Sequence, residues 1–414
     1  MGALKSVADA AWKFFPLFHP FRHPFRLLTL LALINTPKLW LVLTSQPRQF
    51  TPSPNLKYTT RMLNWTGIPQ WHYGDEWLLY SNLRKVCQFN DVAGWFVGDW
   101  VGQNGFYRPL SSISLLLDYW IWHNKRRGYL FTAWLLQILA IYLAVLLFTR
   151  VTYNAQAALL GALSFSLVWY PPNVVTLSFM STRPDVLSAP LLMCALLAAF
   201  NWCDGKSWIW LIVACFFSLL ALWAKESAWI LPFLMAVCAM LSIASKEHKI
   251  NHTRCIIAFF CFAFIVFVWF IAYLHILPNT MAKYGSLALK HERLLSQSYL
   301  IILRVLPQVA TLCNWLVGLP YSIPTKMTIS LVLELSVLTA LILLSWRHTK
   351  MMLLFSLAWI AVSSLPLMSV RLWSPHYFYI PSFGTHMLNG TLVAGGLQWL
   401  ITSFGKVGSC RAED

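Results

Sequence analysis

Residues Tyr129–Thr149 read YLFTAWLLQILAIYLAVLLFT, 21 positions without a single charge. A helix of that length reaches about 30 Å, the thickness of a bilayer's hydrocarbon core. Comparable apolar runs recur at 156–171, 186–203, 207–224, 228–245 and 255–277, and later at 328–345, 351–368 and 384–403. A weaker run at 27–45 is interrupted by Asn35, Pro37 and Lys38, which makes it a marginal or re-entrant span. The run at 298–318 carries Arg304, Pro307 and Asn314 and reads as a segment that dips and returns. With 58% hydrophobic and only 11% charged residues, a chain of 414 residues has too much apolar surface to bury in water. The pattern predicts an all-α, polytopic integral membrane protein with about ten transmembrane helices.

Short basic loops set the expected sidedness. Arg150, Lys206 and the Lys246, Lys249, Arg254 group fall on alternate loops, which places those loops in the cytoplasm. The loops 46–128, 172–185, 225–227 and 278–297 then lie on the other side. Lys125, Arg126 and Arg127 conflict with that rule, since they abut a span on the outer side. Residues 1–26 form a basic amphipathic segment on the membrane surface, 27–404 the transmembrane domain with its external loop 46–128, and 405–414 a short cytoplasmic tail. No signal-peptide pattern opens the chain. The net charge of +17 sits in clusters between spans, as for lipid headgroup contact, and does not form a nucleic-acid face. Nine cysteines without a Cys-x-x-Cys pair argue against a disulfide framework or zinc site.

Five of the fourteen acidic residues, Asp75, Glu76, Asp91, Asp99 and Asp118, gather in the 46–128 loop. Carboxylates concentrated in one loop of an acid-poor membrane protein meet a cation, a proton or an acceptor group, or are simply solvated. Within the loop, Leu110, Ile113, Leu117 and Trp120 recur at helical spacing opposite Ser111, Ser114 and Asp118, the pattern of an interfacial helix. The expected outer face also collects Arg183, Asp185, Lys225, Glu226, Arg371 and His376. A carboxylate in such a cavity can take a proton from a hydroxyl, and basic side chains can hold a phosphate. Each also has a plainer reading: a turn hydrogen bond for Asp75 and Glu76, an interfacial pair for Arg183 and Asp185, a span boundary for Lys225 and Glu226, headgroup contact for Arg371 and His376. Glu334 falls mid-span, where a bare charge costs about 2.5 kcal/mol or more, so it is protonated, functional or, as the first reading, paired with a residue such as Arg304. Asn64-Trp65-Thr66 fits the glycosylation acceptor pattern.

Several outer-face stretches together resemble the GT-C glycosyltransferases, in particular the polyprenyl-phosphate-sugar enzymes allied to the TPR-carrying O-mannosyltransferases. Phe106-Tyr107-Arg108-Pro109-Leu110 is similar to that family's YRPL segment, and Asp75-Glu76 stands where it has an acidic pair. Ser181-Thr182-Arg183-Pro184-Asp185-Val186-Leu187 resembles its S-x-R-x-D-x-L entry to a span, and Ala224-Lys225-Glu226-Ser227-Ala228 its KE-x-A boundary. Leu316 to Pro324 resembles its proline-bearing external loop, and Tyr377-Phe378-Tyr379-Ile380-Pro381-Ser382 its YLYLPS run. His376 replaces the family arginine before that run, the acidic pair is Asp-Glu where Asp-Asp is common, and no TPR array follows. The resemblance implies a GT-C fold and an inverting transferase in a bacterial inner membrane. It would move a sugar from a polyprenyl-phosphate donor to an acceptor glycan, lipid or protein on the outer side. On this likeness Asp75 is the base, with Glu76 and Asp185 assisting or holding a divalent Mg or Mn ion where members use one. Arg108, Lys225 and Arg371 surround the phosphate, and Arg183, Glu226, His376 and Tyr377 line the substrate site. Two alternatives share the cavity: a lipid-linked sugar flippase, and a relative without catalytic activity.

Overall fold

The computed structural model describes residues 20, 22–45, 71–86, 88–103, 105–167, 171–244, 250–277, 349–366 and 375–410. Every regular element among them is helical: α1 Pro24–Ser45, α2 Trp71–Leu83, α3 Phe89–Gly94, α4 Pro109–Trp122, α5 Arg126–Thr152, α6 Ala155–Leu167, α7 Pro171–Ser178, α8 Arg183–Cys203, α9 Ile209–Ala224, α10 Leu231–Ala244, α11 His252–Ile276, α12 Thr349–Ser363 and α13 Tyr379–Cys410. Short 3-10 turns at Met180–Thr182, Glu226–Ile230 and Pro375–Phe378 lead into α8, α10 and α13. Five stretches, Pro24–Thr44, Arg126–Thr152, Met180–Cys203, Glu226–Ala244 and His252–Ile276, are long and apolar enough to cross a bilayer. The expected segments at 298–318 and 328–345, with Arg304 and Glu334, lie outside the described residues, as do Asn64 and Arg371.

The polar interruptions of α1 are explained by what they face. Lys38 is 1% exposed and donates to the Phe165 carbonyl at 2.6 Å, while Asn35 Nδ2 donates to Ser166 Oγ at 2.8 Å. Both partners sit in the last turn of α6, where the carbonyl end of the helix dipole favours a cation. The residues that weaken α1 as a hydrophobic span thus bind it to its neighbour, and α1 runs unbroken through Pro37.

Lipid tails provide no hydrophobic drive between helices, so close backbone approach has to supply packing energy. At the α6–α13 crossing, a Cβ added to Gly390 would meet the Gly161 nitrogen at 2.2 Å and the Ala157 carbonyl oxygen at 2.3 Å. On the outside of the bundle, α11 presents Phe260, Phe264 and Phe267 as exposed side chains, an apolar face suited to lipid.

Contacts divide the loops between two ends of the bundle. At one end Arg150 pairs with Asp204, the Asn251 amide donates to the Cys203 carbonyl at 3.1 Å, and Arg254 Nη1 donates to the Lys206 carbonyl at 2.9 Å. The opposite end carries α2, α4, the turn before α8, the turn before α10 and the Pro375–Phe378 turn. Helix α4 lies there with its serines and Asp118 turned inward. Ser111, Ser112, Leu115, Leu116 and Asp118 are buried, whereas Leu117, Trp120 and Ile121 are exposed. Such a helix shows its apolar stripe to the surroundings and its polar stripe to the protein, which suits a membrane interface.

Candidate functional site

The acidic loop is fastened to the bundle by three ion pairs, two of them buried and one half-buried. Glu76 of α2 is 2% exposed and receives both arms of Arg126, at the start of α5, with Nε–Oε2 2.9 Å and Nη2–Oε1 3.1 Å. Arg126 also donates to the Ser178 carbonyl at 2.6 Å, and the Met180 amide donates to Glu76 Oε1 at 2.5 Å. Asp118 of α4 pairs with Arg183 at the start of α8, and Arg183 Nη2 donates to the Tyr129 carbonyl at 2.9 Å. Arg108, the residue before α4, forms a bidentate pair with Glu226, its Nε donating at 2.7 Å. Its guanidinium also lies over the Phe106 ring, 3.9 Å from the centroid.

Arg126 also removes one of the three charges from the conflict at 125–127. It is 1% exposed and neutralised by Glu76, so it acts as an internal counter-ion and not as a free loop charge. Sequence reading assigned this arginine only to topology; its disagreement with the alternating basic loops was the available signal.

A fourth pair, Lys225 with Asp185, joins the end of α9 to the first turn of α8. The Lys225 ammonium stands 5.3 Å from the centre of the Tyr377 ring, which brings the Pro375–Phe378 turn into the same cluster. The Asp185 carboxylate feels the charges of Lys225 and Arg108, so the two basic residues share one environment. Arg108, Asp185, Lys225, Glu226 and Tyr377, expected together from the sequence, do come together. His376 is buried beside Tyr377, with ring centres 4.2 Å apart. Glu76 and Arg183, also expected at the site, are buried and held by Arg126 and Asp118.

The remaining loop carboxylates have structural tasks as well. Asp91 accepts from the Gln88 amide at 2.9 Å and starts α3. Asp99 accepts from the Gly105 and Phe106 amides, at 2.6 and 3.0 Å, and closes the turn leading to Arg108. Asp75 is the exception. It is half-buried in the first turns of α2 and has no hydrogen-bond or ion-pair partner among the described residues. Burial, and then the neighbouring Glu76 charge, push its carboxyl up to about 6. For Glu76 burial is again the first influence and raises the carboxyl, while Arg126 and the Met180 amide draw it back.

Glu76 and Asp185 do not fit the divalent metal that the family resemblance allows. Both Glu76 oxygens already accept from Arg126 or Met180, and Asp185 faces the ammonium of Lys225. A dication beside either would be repelled by the cation already there. Among the described residues no group of three His, Cys, Asp or Glu is placed to hold a metal ion.

Two buried polar side chains inside the bundle escaped sequence reading altogether, Asn173 of α7 and His386 of α13, which lie within hydrogen-bonding distance of each other at 3.1 Å. Neither belongs to a charge pattern or a motif, and nothing in one sequence reveals a pairing across 213 positions. No family model, curated protein or solved structure matches this chain.

Proposed function

We propose that this membrane protein is an inverting glycosyltransferase that moves a sugar from a polyprenyl-phosphate donor to an acceptor hydroxyl, with Asp75 as the general base. The observation that carries the proposal is the distribution of partners among the loop carboxylates. Glu76, Asp91, Asp99 and Asp118 are each occupied by a cation or by backbone amides, and among the described residues Asp75 alone of the five has no such partner. A base with a pKa of about 6 is mostly ionised at pH 7, yet more basic than an ordinary carboxylate, which suits proton removal from a hydroxyl.

In the proposed step the acceptor oxygen bonds to the anomeric carbon as the bond from that carbon to the phosphate oxygen breaks. The phosphate leaves with the electron pair, and Asp75 takes the hydroxyl proton. Lys225 and Arg108 are the basic groups proposed to receive the phosphate. Lys225 uses one of its three N–H donors on Asp185, and Arg108 uses Nε and Nη2 on Glu226, which leaves Nη1 without a bond among the described residues. On this reading the loop faces the non-cytoplasmic side, with the alternating basic loops as support.

The test is turnover of a panel of polyprenyl-phosphate sugars by purified protein in nanodiscs. Asp75→Asn keeps the acceptor geometry but cannot take the proton, and removing a general base costs about 100-fold to 10,000-fold in rate. That loss with donor binding retained is the expected result. Donor binding without turnover in the native protein overturns the reading in favour of lipid-sugar transport.

A further inference from the structure

Helix α7 is only eight residues long, Pro171–Ser178, and joins two polar layers. Its end meets the acidic loop, since the Ser178 carbonyl accepts from Arg126 and the Met180 amide, two residues on, donates to Glu76. Its beginning meets the interior. Asn173 Oδ1 accepts from Ser382 Oγ at 3.1 Å, and Asn173 Nδ2 lies 3.1 Å from His386 Nε2. On the other side of the ring His386 Nδ1 lies 3.0 Å from Ser164 Oγ of α6, which also accepts from Asn389 Nδ2 at 3.3 Å.

The ring of His386 thus lies between Asn173 of α7 and Ser164 of α6, while the Ser382 hydroxyl is also 2.6 Å from the Tyr379 carbonyl. In either tautomer one ring nitrogen donates and the other accepts. A neutral imidazole uses its one donor and one acceptor, and it joins α6, α7 and α13 at a single point inside the bundle.

We infer that His386 is a positioning residue for the site at Asp75: it fixes α7 through Asn173, and α7 holds the Glu76–Arg126 pair next to which Asp75 stands. The inference rests on the proposed role of Asp75 and adds a residue to it. An eight-residue helix spans about 12 Å, too short to absorb displacement of one end by bending, so a shift at Asn173 reaches Ser178 and Met180. Precise catalytic geometry depends on such outer support, because a side chain held loosely by its neighbours loses its environment.

A histidine that only packs the core would change stability and leave Asp75 alone, so the experiment reads Asp75 directly. The carboxylate infrared signal that disappears in Asp75→Asn is followed against pH in nanodiscs, in the native protein and in His386 variants. The native midpoint is expected at about 6. In His386→Leu the tie is lost, Asp75 becomes better solvated, and the midpoint is expected to fall toward the ordinary value of about 3.9. His386→Gln supplies one donor and one acceptor group between Asn173 and Ser164, and is expected to restore the native midpoint. Ser382→Ala, which deletes a single hydroxyl, is expected to give a smaller fall and serves if His386→Leu does not fold. A native midpoint in folded His386→Leu, or in Ser382→Ala where the leucine variant does not fold, overturns the inference. So does a His386→Gln protein that behaves like the leucine variant. Midpoints that move as stated in a protein that never turns over a donor support the positioning role and sink the transferase reading instead.

Discussion

Asp75 and Glu76 are adjacent carboxylates with different surroundings, and the proposed function rests on that difference. Residue 76 turns into the bundle, where the fork of Arg126 and the Met180 amide meet it; residue 75 stays at the rim of the same helix. An acidic pair was legible in the sequence, but the direction of each side chain was not, because the arginine that selects Glu76 lies fifty positions away. The same limit applied to Arg183, whose partner Asp118 belongs to a different stretch of the loop. Glu76→Gln leaves the Arg126 charge buried without its counter-ion, and removing one partner of such a pair costs about 3–5 kcal/mol. Its expected signature is a marked fall in thermal stability in detergent. Glu76→Gln with native stability and selectively lost turnover would return Glu76 to the chemistry.

At the scale of elements, hydropathy located most described helices to within a few residues, because a helix exposed to lipid must be apolar along its length. It misjudged elements whose polar residues have partners. α1 looked marginal because Asn35 and Lys38 appear costly until Ser166 and the Phe165 carbonyl are seen beside them. The expected stripe on α4 was correct in its spacing, but only the structure shows that the polar side faces inward and Leu117, Trp120 and Ile121 face out. The α6–α13 crossing was not legible at all, since Gly161 and Gly390 carry no pattern of their own. Gly390→Ala puts a methyl group where the Gly161 nitrogen lies 2.2 Å away, and overpacking of this kind costs about 1–3 kcal/mol. A lower melting temperature is expected, and an unchanged one would mean that the two backbones are not in contact.

At the scale of the whole molecule, the charged groups paired among the described residues sort to the two ends of the bundle: Arg150, Asp204, Lys206 and Arg254 at one, and the four pairs that join α2, α4, α5, α8 and the turn before α10 at the other. Single cysteines at the exposed positions Gln103 and Lys206, in a protein without other cysteines, are expected to react with a membrane-impermeant thiol reagent from opposite sides. Reaction from the same side would contradict the two-ended arrangement. The separation also gives the acidic end a surface of its own, with Asp75 beside neutralised pairs and close to the interface that α4 suits. On the proposed function an acceptor and a lipid-borne donor meet there. The pH dependence of sugar transfer in nanodiscs tests this most directly. On the proposed function Asp75 must be ionised to take the proton, and with its carboxyl pushed up to about 6 turnover should rise with pH through about 6 and level off above it. Asp75→Asn should lose both the rise and about 100-fold to 10,000-fold of the rate. A rate that is flat between pH 5 and pH 8, or an Asp75→Asn protein that turns over like the native one, would contradict the account.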